Sequence, residues 1–149
     1  MLHYSGGPPD QQPQTATWAL GADRRAVTEA RDHVREFLTA DDHAVTPATL
    51  RDSVLAVSEL VTNAVVHAPG PCVLRLAFQD GTLTIAVHDT NPALPLPRVP
   101  DPATADGGFG WHLLTGLASR IDVQQHPDGG KTITAVLRAG RVPRTGDRR

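Results

Sequence analysis

The spacing of hydrophobic positions differs between the two halves of the chain. After a short strand candidate at Thr15 to Leu20, apolar residues recur at intervals of three and four and predict a helix from Ala22 to Thr39. A second helix is predicted from Pro47 to Ala68, because Thr46 suits the N-cap and proline suits the first helical position. The first half of the chain therefore reads as mainly helical.

The second half is dominated by short runs that favour β-strands. Cys72 to Phe78 and Leu83 to His88 flank Asp80-Gly81, the strongest hairpin signal in the chain. After a helix candidate ending at Ala118, two more strands, Arg120 to Gln125 and Thr132 to Arg138, flank a glycine-rich turn. Helices followed by hairpins predict an α/β (α+β) two-layer sandwich, with the helices on one face of a mixed, mainly antiparallel sheet.

Length and composition indicate one folded unit. The 149 residues are 40% hydrophobic, which suits a single core. Residues 1–14 are rich in proline, glycine and glutamine and read as a disordered leader, residues 15–140 as the domain, and residues 141–149 as a flexible tail. The segment Asn91 to Pro102 contains five prolines and cannot be a helix.

Charge and cysteine content exclude several classes of function. A net charge of -2 gives no basic field for nucleic acid or anionic membranes, and no stretch has the length of a membrane span or the layout of a signal peptide. The single cysteine, Cys72, excludes an internal disulfide and a multi-cysteine metal site. We expect a soluble, cytoplasmic protein. Lys131 is the only lysine among 14 basic residues, a bias we attribute to genomic base composition.

The second helix carries polar groups on the side opposite its apolar stripe. At ~100° per residue, the stripe lies between roughly 140° and 220° from Glu59 and packs on the sheet. Its members are Leu50, Val54, Val57, Val61, Ala64 and Ala68. Asp52, Glu59, Asn63 and His67 fall within roughly 80° of one another on the other side. Spacing alone fits a solvated surface as well as a site.

Two apolar residues distinguish this polar face from an ordinary wet surface. Leu55 and Val66 flank Glu59, where a solvated face would more often carry Lys, Arg or Glu. We therefore expect something to cover this face.

The segment Ser58 to Ala68 resembles the N-box of the GHKL (histidine kinase-like and Hsp90-like) ATPase superfamily, and most closely that of the anti-sigma-factor serine/threonine kinases. The resemblance implies a Bergerat-type ATP-binding fold that uses ATP and Mg²⁺. It gives Glu59 the role of general base, or of orienting the attacking hydroxyl, and makes Asn63 the nucleotide-site ligand whose oxygen holds the metal. His67 is as compatible with a simple helix-end position as with ligand contact.

Asp89 ends the strand that resembles the adenine-binding strand of the superfamily. A carboxylate can accept the hydrogens of the adenine amino group, although an isolated aspartate at a strand end is usually a turn former. The superfamily's two following glycines are missing, and Thr90, Asn91 and Pro92 stand in that loop. The five prolines beyond would make a semi-rigid ATP lid.

Two glycine-containing segments resemble the remaining boxes. Gly108 and Gly110 match the phosphate-binding glycines, with Trp111 in place of the usual leucine, either rearranging the helix start or lining the pocket. Thr132 matches a threonine that helps to hold adenine through the aspartate and water. A glycine cluster alone most often marks a loop, and a plain hairpin turn explains Gly129 and Gly130 equally well.

Two functions remain open. The first is a serine/threonine protein kinase that phosphorylates an anti-sigma-factor antagonist and, in another state, binds a sigma factor. The second is a non-catalytic module whose binding of a sigma factor or other regulator depends on ATP or ADP. A histidine kinase is disfavoured because no histidine-bearing helix pair precedes the domain. The resemblance also allows a homodimer.

Overall fold

An open five-stranded sheet forms one layer of the protein, and helices form the other. The computed structural model describes residues 12–40, 45–68, 70–93 and 109–140. Its elements, in chain order, are β1 (Gln14–Leu20), α1 (Arg25–Thr39), α2 (Pro47–His67), β2 (Cys72–Gln79), β3 (Thr82–Asp89), α3 (Phe109–Leu117), β4 (Arg120–Gln125) and β5 (Lys131–Arg138).

Every neighbouring pair of strands in this sheet is antiparallel. The spatial order is β1-β2-β3-β5-β4, so the hairpin β2–β3 joins the hairpin β4–β5 through the pairing of β3 with β5. The predicted two-layer α+β sandwich is therefore confirmed, and the sheet is wholly antiparallel in the described residues. The β3–β5 register pairs Ile85 with Ala135 and Asp89 with Lys131.

Alternation along the strands divides the sheet into an inner face, covered by helices, and an outer face. On β3 and β5 the inner positions are buried and the outer positions are only partly buried. The helices contribute small and aliphatic side chains to the same core, among them Ala30, Val34, Val57, Leu60 and Val61. Because one face of an antiparallel sheet can remain wet, a single helical layer suffices.

The turns and caps explain why the main elements begin and end where they do. Asp80 and Gly81 both have positive φ, of 51° and 71°, which is the type I′ geometry that suits a two-residue hairpin. Thr46 caps α2 as predicted, since its side chain accepts a hydrogen bond from the Thr49 amide at 3.2 Å. The first helix begins at Arg25 rather than Ala22, where the Asp23 carboxylate accepts from the Arg25 amide.

Several sequence predictions lie outside the described residues. They concern the leader up to residue 11, the tail from residue 141 and the proline-rich segment beyond residue 93. None of the helices in the described ranges combines the length and the apolar character that a membrane crossing requires.

The Thr46 cap gives a direct test of how α2 is anchored. Thr46→Ala removes the acceptor for an otherwise unpaired amide, and we expect the free energy of unfolding to fall by about 1 kcal/mol. Thr46→Ser keeps the hydroxyl and should stay close to wild type. Chemical denaturation of the three proteins checks this, and equal stability of the alanine and serine variants would contradict the capping role.

Candidate functional site

Glu59 and Asn63 lie one turn apart on α2 and are both partly buried. They point away from the sheet because Val57, Val61 and Ala64 fill the inner side of the same helix. Burial raises the pKa of the Glu59 carboxyl above its ordinary value, and the charge of Arg31 partly opposes this rise. Among the described residues, none forms a hydrogen bond with the side-chain amide of Asn63. The helix thus presents a carboxylate of raised basicity beside an amide with open bonding capacity.

Arg31 reaches this region from α1. Its Nε donates to the Ser58 hydroxyl at 2.6 Å, and that hydroxyl donates in turn to the Val54 carbonyl at 2.7 Å. Ser58 is buried, so this contact fixes the position of the guanidinium beside the neighbouring Glu59. Arg31 was not among the residues singled out from the sequence, because it comes from a different helix.

Within the described ranges, the apolar side chains that flank Glu59 remain partly exposed. Leu55 is 38% exposed and Val66 57% exposed. The described part of the fold therefore does not supply the expected cover over these two side chains.

Asp89 and Lys131 form a buried ion pair at the end of β3. Each side chain is 2% exposed, and the Lys131 ammonium lies 2.9 Å from Asp89 Oδ2 and 3.1 Å from Oδ1. Losing one partner of such a pair typically costs about 3–5 kcal/mol, whereas exposed pairs such as Arg35–Asp32 are worth about 1 kcal/mol at most. The buried pair therefore dominates the electrostatics of this end of the sheet.

Asn91 holds the loop in which the expected glycines are missing. Its backbone amide donates to Asp89 Oδ1 at 2.8 Å, and its carbonyl accepts from Lys131 Nζ at 2.9 Å. Its side chain donates to the His67 carbonyl at 2.7 Å and accepts from the Ala93 amide at 3.0 Å. Hydrogen bonds of the Asn91 side chain therefore fix this loop. One of them, to the His67 carbonyl, attaches the loop to the end of α2.

The structure does not bring Thr132 to Asp89, which corrects the expected adenine pair. Thr132 pairs with His88 across the strands and lies on the outer face, because successive side chains of a strand alternate. Its hydroxyl is 2.7 Å from His126 Nε2 and 3.2 Å from His88 Nδ1. Lys131, one residue earlier, is the side chain that shares the inner face with Asp89.

The family of this chain is shown by its sequence. The sequence model of the histidine kinase-like ATPase domain matches residues 20–137. The chain belongs to that family. Membership makes this ATPase domain an ATP-binding module of the GHKL type. No curated protein matches it.

Solved structures similar to this ATPase domain include histidine kinases of low sequence identity. A blue-light-activated histidine kinase of Erythrobacter litoralis is 19% identical, with a TM-score of 0.48, over 76% of this chain and 41% of its own. The histidine kinase domain of that protein is 20% identical, with a TM-score of 0.47, over 76% of this chain and 59% of its own. The histidine kinase domain of the E. coli osmosensor EnvZ is 14% identical, with a TM-score of 0.43, over 97% of this chain and 99% of its own. This chain thus spans less than two thirds of the length of either Erythrobacter structure.

The predicted phosphate-binding glycines of the ATPase domain are only partly described. Gly110 lies in the first turn of α3, and Gly108 lies outside the described residues. Trp111 is half-buried and packs against the core cluster. Within the ranges described, no three His, Cys, Asp or Glu side chains converge as a metal site.

The thiol of Cys72 is buried in the ATPase domain. Burial first, and then the negative charge of Asp89, raise the pKa of this thiol. A buried thiol of raised pKa is a poor nucleophile.

Gly130 gives a test of the close packing at this end of the sheet. A Cβ at Gly130 would lie against the Asp89 carbonyl oxygen and 3.1 Å from a ring carbon of His88. Gly130→Ala should therefore lower the free energy of unfolding by roughly 1–3 kcal/mol. Gly116→Ala, on α3 with no atom within 4 Å of the new Cβ, is the matched control and should not destabilise. Thermal unfolding compares them, and equal losses would refute the packing argument.

Proposed function

We propose that this ATPase domain is an anti-sigma-factor-like regulator that transfers the γ-phosphoryl group of ATP to a serine or threonine hydroxyl of an anti-sigma-factor antagonist. One observation carries the proposal. Glu59, a partly buried carboxylate of raised pKa, lies one turn from Asn63 on the same face of α2. In another state the domain would bind a sigma factor.

The side chains on α2 fit a Mg²⁺ ion that is held mainly by the nucleotide. Mg²⁺ prefers oxygen ligands and commonly takes one or two from the protein, with phosphates and water completing the shell. Asn63 can supply an amide oxygen, and the described residues form no protein-only metal cage. Bound in this way, the ion would neutralise charge on the phosphates.

The properties of Glu59 favour a hydroxyl as the phosphoryl acceptor. A hydroxyl must lose its proton as it attacks, whereas a neutral imidazole has a free lone pair. A carboxyl of raised pKa is a better proton acceptor than an ordinary one, provided that it remains ionised. The Arg31 charge opposes the rise caused by burial and so favours the ionised form.

A second function, a nucleotide-gated binding module without phosphotransfer, is favoured by the state of Asp89. Its Oδ1 already accepts two hydrogen bonds within the chain, its Oδ2 lies 2.9 Å from the Lys131 ammonium, and the side chain is 2% exposed. Such a site suits slow exchange of ATP and ADP, with partner choice as the output.

Substitutions on α2 separate the two functions. With labelled Mg-ATP and candidate antagonist proteins, we expect Glu59→Gln to bind ATP within about threefold of wild type but to lose transfer by at least about 100-fold, the usual scale of general-base catalysis. Asn63→Ala should weaken Mg-ATP binding by about tenfold or more, since it removes a metal ligand.

Glu36→Gln, an exposed change on α1, is the matched control and should leave both activities intact. The label should be acid-stable, as expected of phosphoserine or phosphothreonine. Wild type that binds ATP without transferring phosphate would select the gated module. Wild type that does neither would refute both functions.

The opposing influences on Glu59 predict the pH dependence of transfer. The base works when ionised, so activity falls as the pH drops through its pKa. Arg31→Gln removes the charge that lowers this pKa. The acidic limb of the pH–rate profile should therefore move to higher pH. Arg35→Gln, exposed on the same helix, should leave the limb in place. Rates measured across pH check this, and a limb that stays or moves downward in Arg31→Gln would contradict the assignment.

A further inference from the structure

Lys131 is the single lysine of the chain, and it is buried. Its side chain is 2% exposed, and its ammonium group makes two hydrogen bonds. One goes to Asp89 Oδ1 at 3.1 Å and the other to the Asn91 carbonyl at 2.9 Å. The same ammonium lies 2.9 Å from Asp89 Oδ2, so it forms an ion pair with the carboxylate as a whole.

The same contacts leave Asp89 Oδ2 with open acceptor capacity. A carboxylate has about four lone-pair sites. Oδ1 accepts hydrogen bonds from Lys131 and from the Asn91 amide, whereas Oδ2 has only the ion-pair contact with Lys131 among the described residues. The carboxylate is therefore held in one orientation, with its remaining bonding capacity concentrated on Oδ2.

We propose that Lys131 is the positioning residue that sets purine selectivity: it holds Asp89 as a fixed, ionised acceptor whose open Oδ2 position takes the 6-amino group of adenine. The proposal rests on the proposed nucleotide function and adds to it the role of Lys131 in positioning Asp89. A purine with an oxygen at position 6 would place a hydrogen-bond acceptor against the carboxylate oxygen, which is also an acceptor, and would bind more weakly. Selectivity would then come from a group that need not touch the base.

The chemistry of lysine explains why this position differs from the chain's other cations, which are all arginine. A guanidinium spreads five donors over a rigid plane, whereas an ammonium is compact and directs three donors that can rotate. The three acceptors around Lys131 belong to two residues at one strand end, Asp89 and Asn91. A compact cation fits this arrangement.

The single lysine allows a test in the unsubstituted protein. Labelling with ¹³C,¹⁵N-lysine gives one side-chain Cε–Nζ signal in NMR spectra, and it reports on Lys131 alone. We expect its ammonium protons to be protected from exchange, and the signal to shift but persist when the protein is saturated with Mg-ATP. A signal that does not move at saturation, or that is lost to solvent exchange, would overturn the proposal.

A substitution tests the selectivity directly. Wild type should bind ATP at least about tenfold more tightly than inosine triphosphate, a ratio typical of one charge-assisted hydrogen bond. Lys131→Met keeps the length of the side chain but leaves a buried carboxylate unpaired, and such a group tends to take up a proton. A protonated carboxyl can donate as well as accept, so the ratio of the two affinities should fall by about tenfold.

Arg138→Met, which removes an exposed positive charge from the same strand, should leave the ratio unchanged. Parallel weakening of both nucleotides in Lys131→Met would show a structural role only and would overturn the inference while leaving the nucleotide function intact. Wild type that binds neither nucleotide would instead refute the proposed function. If Lys131→Met does not fold, the NMR measurement still decides.

Discussion

The pairing of β3 with β5 is the contact on which the rest of the structure depends. Each hairpin forms from residues close in sequence, but neither can bury its apolar face alone. The β3–β5 ladder joins them into one sheet and sets Asp89 opposite Lys131. A slip of one residue would turn the inner aliphatic side chains outward and would separate the buried charges. The ion pair and the hydrophobic core therefore require the same register.

The position of α2 follows from this sheet. Its buried residues occupy the inner side of the helix, so the remaining side must face away from the core. Glu59 and Asn63 are on that side, and the Asn91 side chain fastens the end of the helix to the loop after β3. The two parts of the candidate site are thus held at a set distance by hydrogen bonds as well as by packing. A site built on elements that pack against one core is more precise than one carried by loops.

The parts that could be predicted from the sequence are those with local causes. Thr46 and Pro47 predict the start of a helix, because they suit the N-cap and the first helical position. Asp80-Gly81 predicts a hairpin, because both residues readily adopt positive φ. Glu59 and Asn63 follow from helical spacing together with a motif. Thr132 does not share a face with Asp89. A family match by order is uncertain by one residue, and one residue in a strand changes the face. The single lysine could have been used as a prediction. All other basic residues of the chain are arginine, and this one lysine is buried.

Contacts between distant segments could not be predicted in this way. The bonds from Asn91 reach α2 and β5, and no local pattern specifies either partner. They also show how a loop can dispense with glycine. Where glycines give a backbone freedom to approach a ligand, Asn91 of this loop is held by hydrogen bonds to Asp89 at the end of β3 and to Lys131 of β5. The end of the site at β3 is therefore organised before any ligand arrives, whereas the groups on α2 keep open bonding capacity. Preorganisation at β3 lowers the entropic cost of binding there, whereas any ordering on the α2 side must be offset by contacts with the ligand.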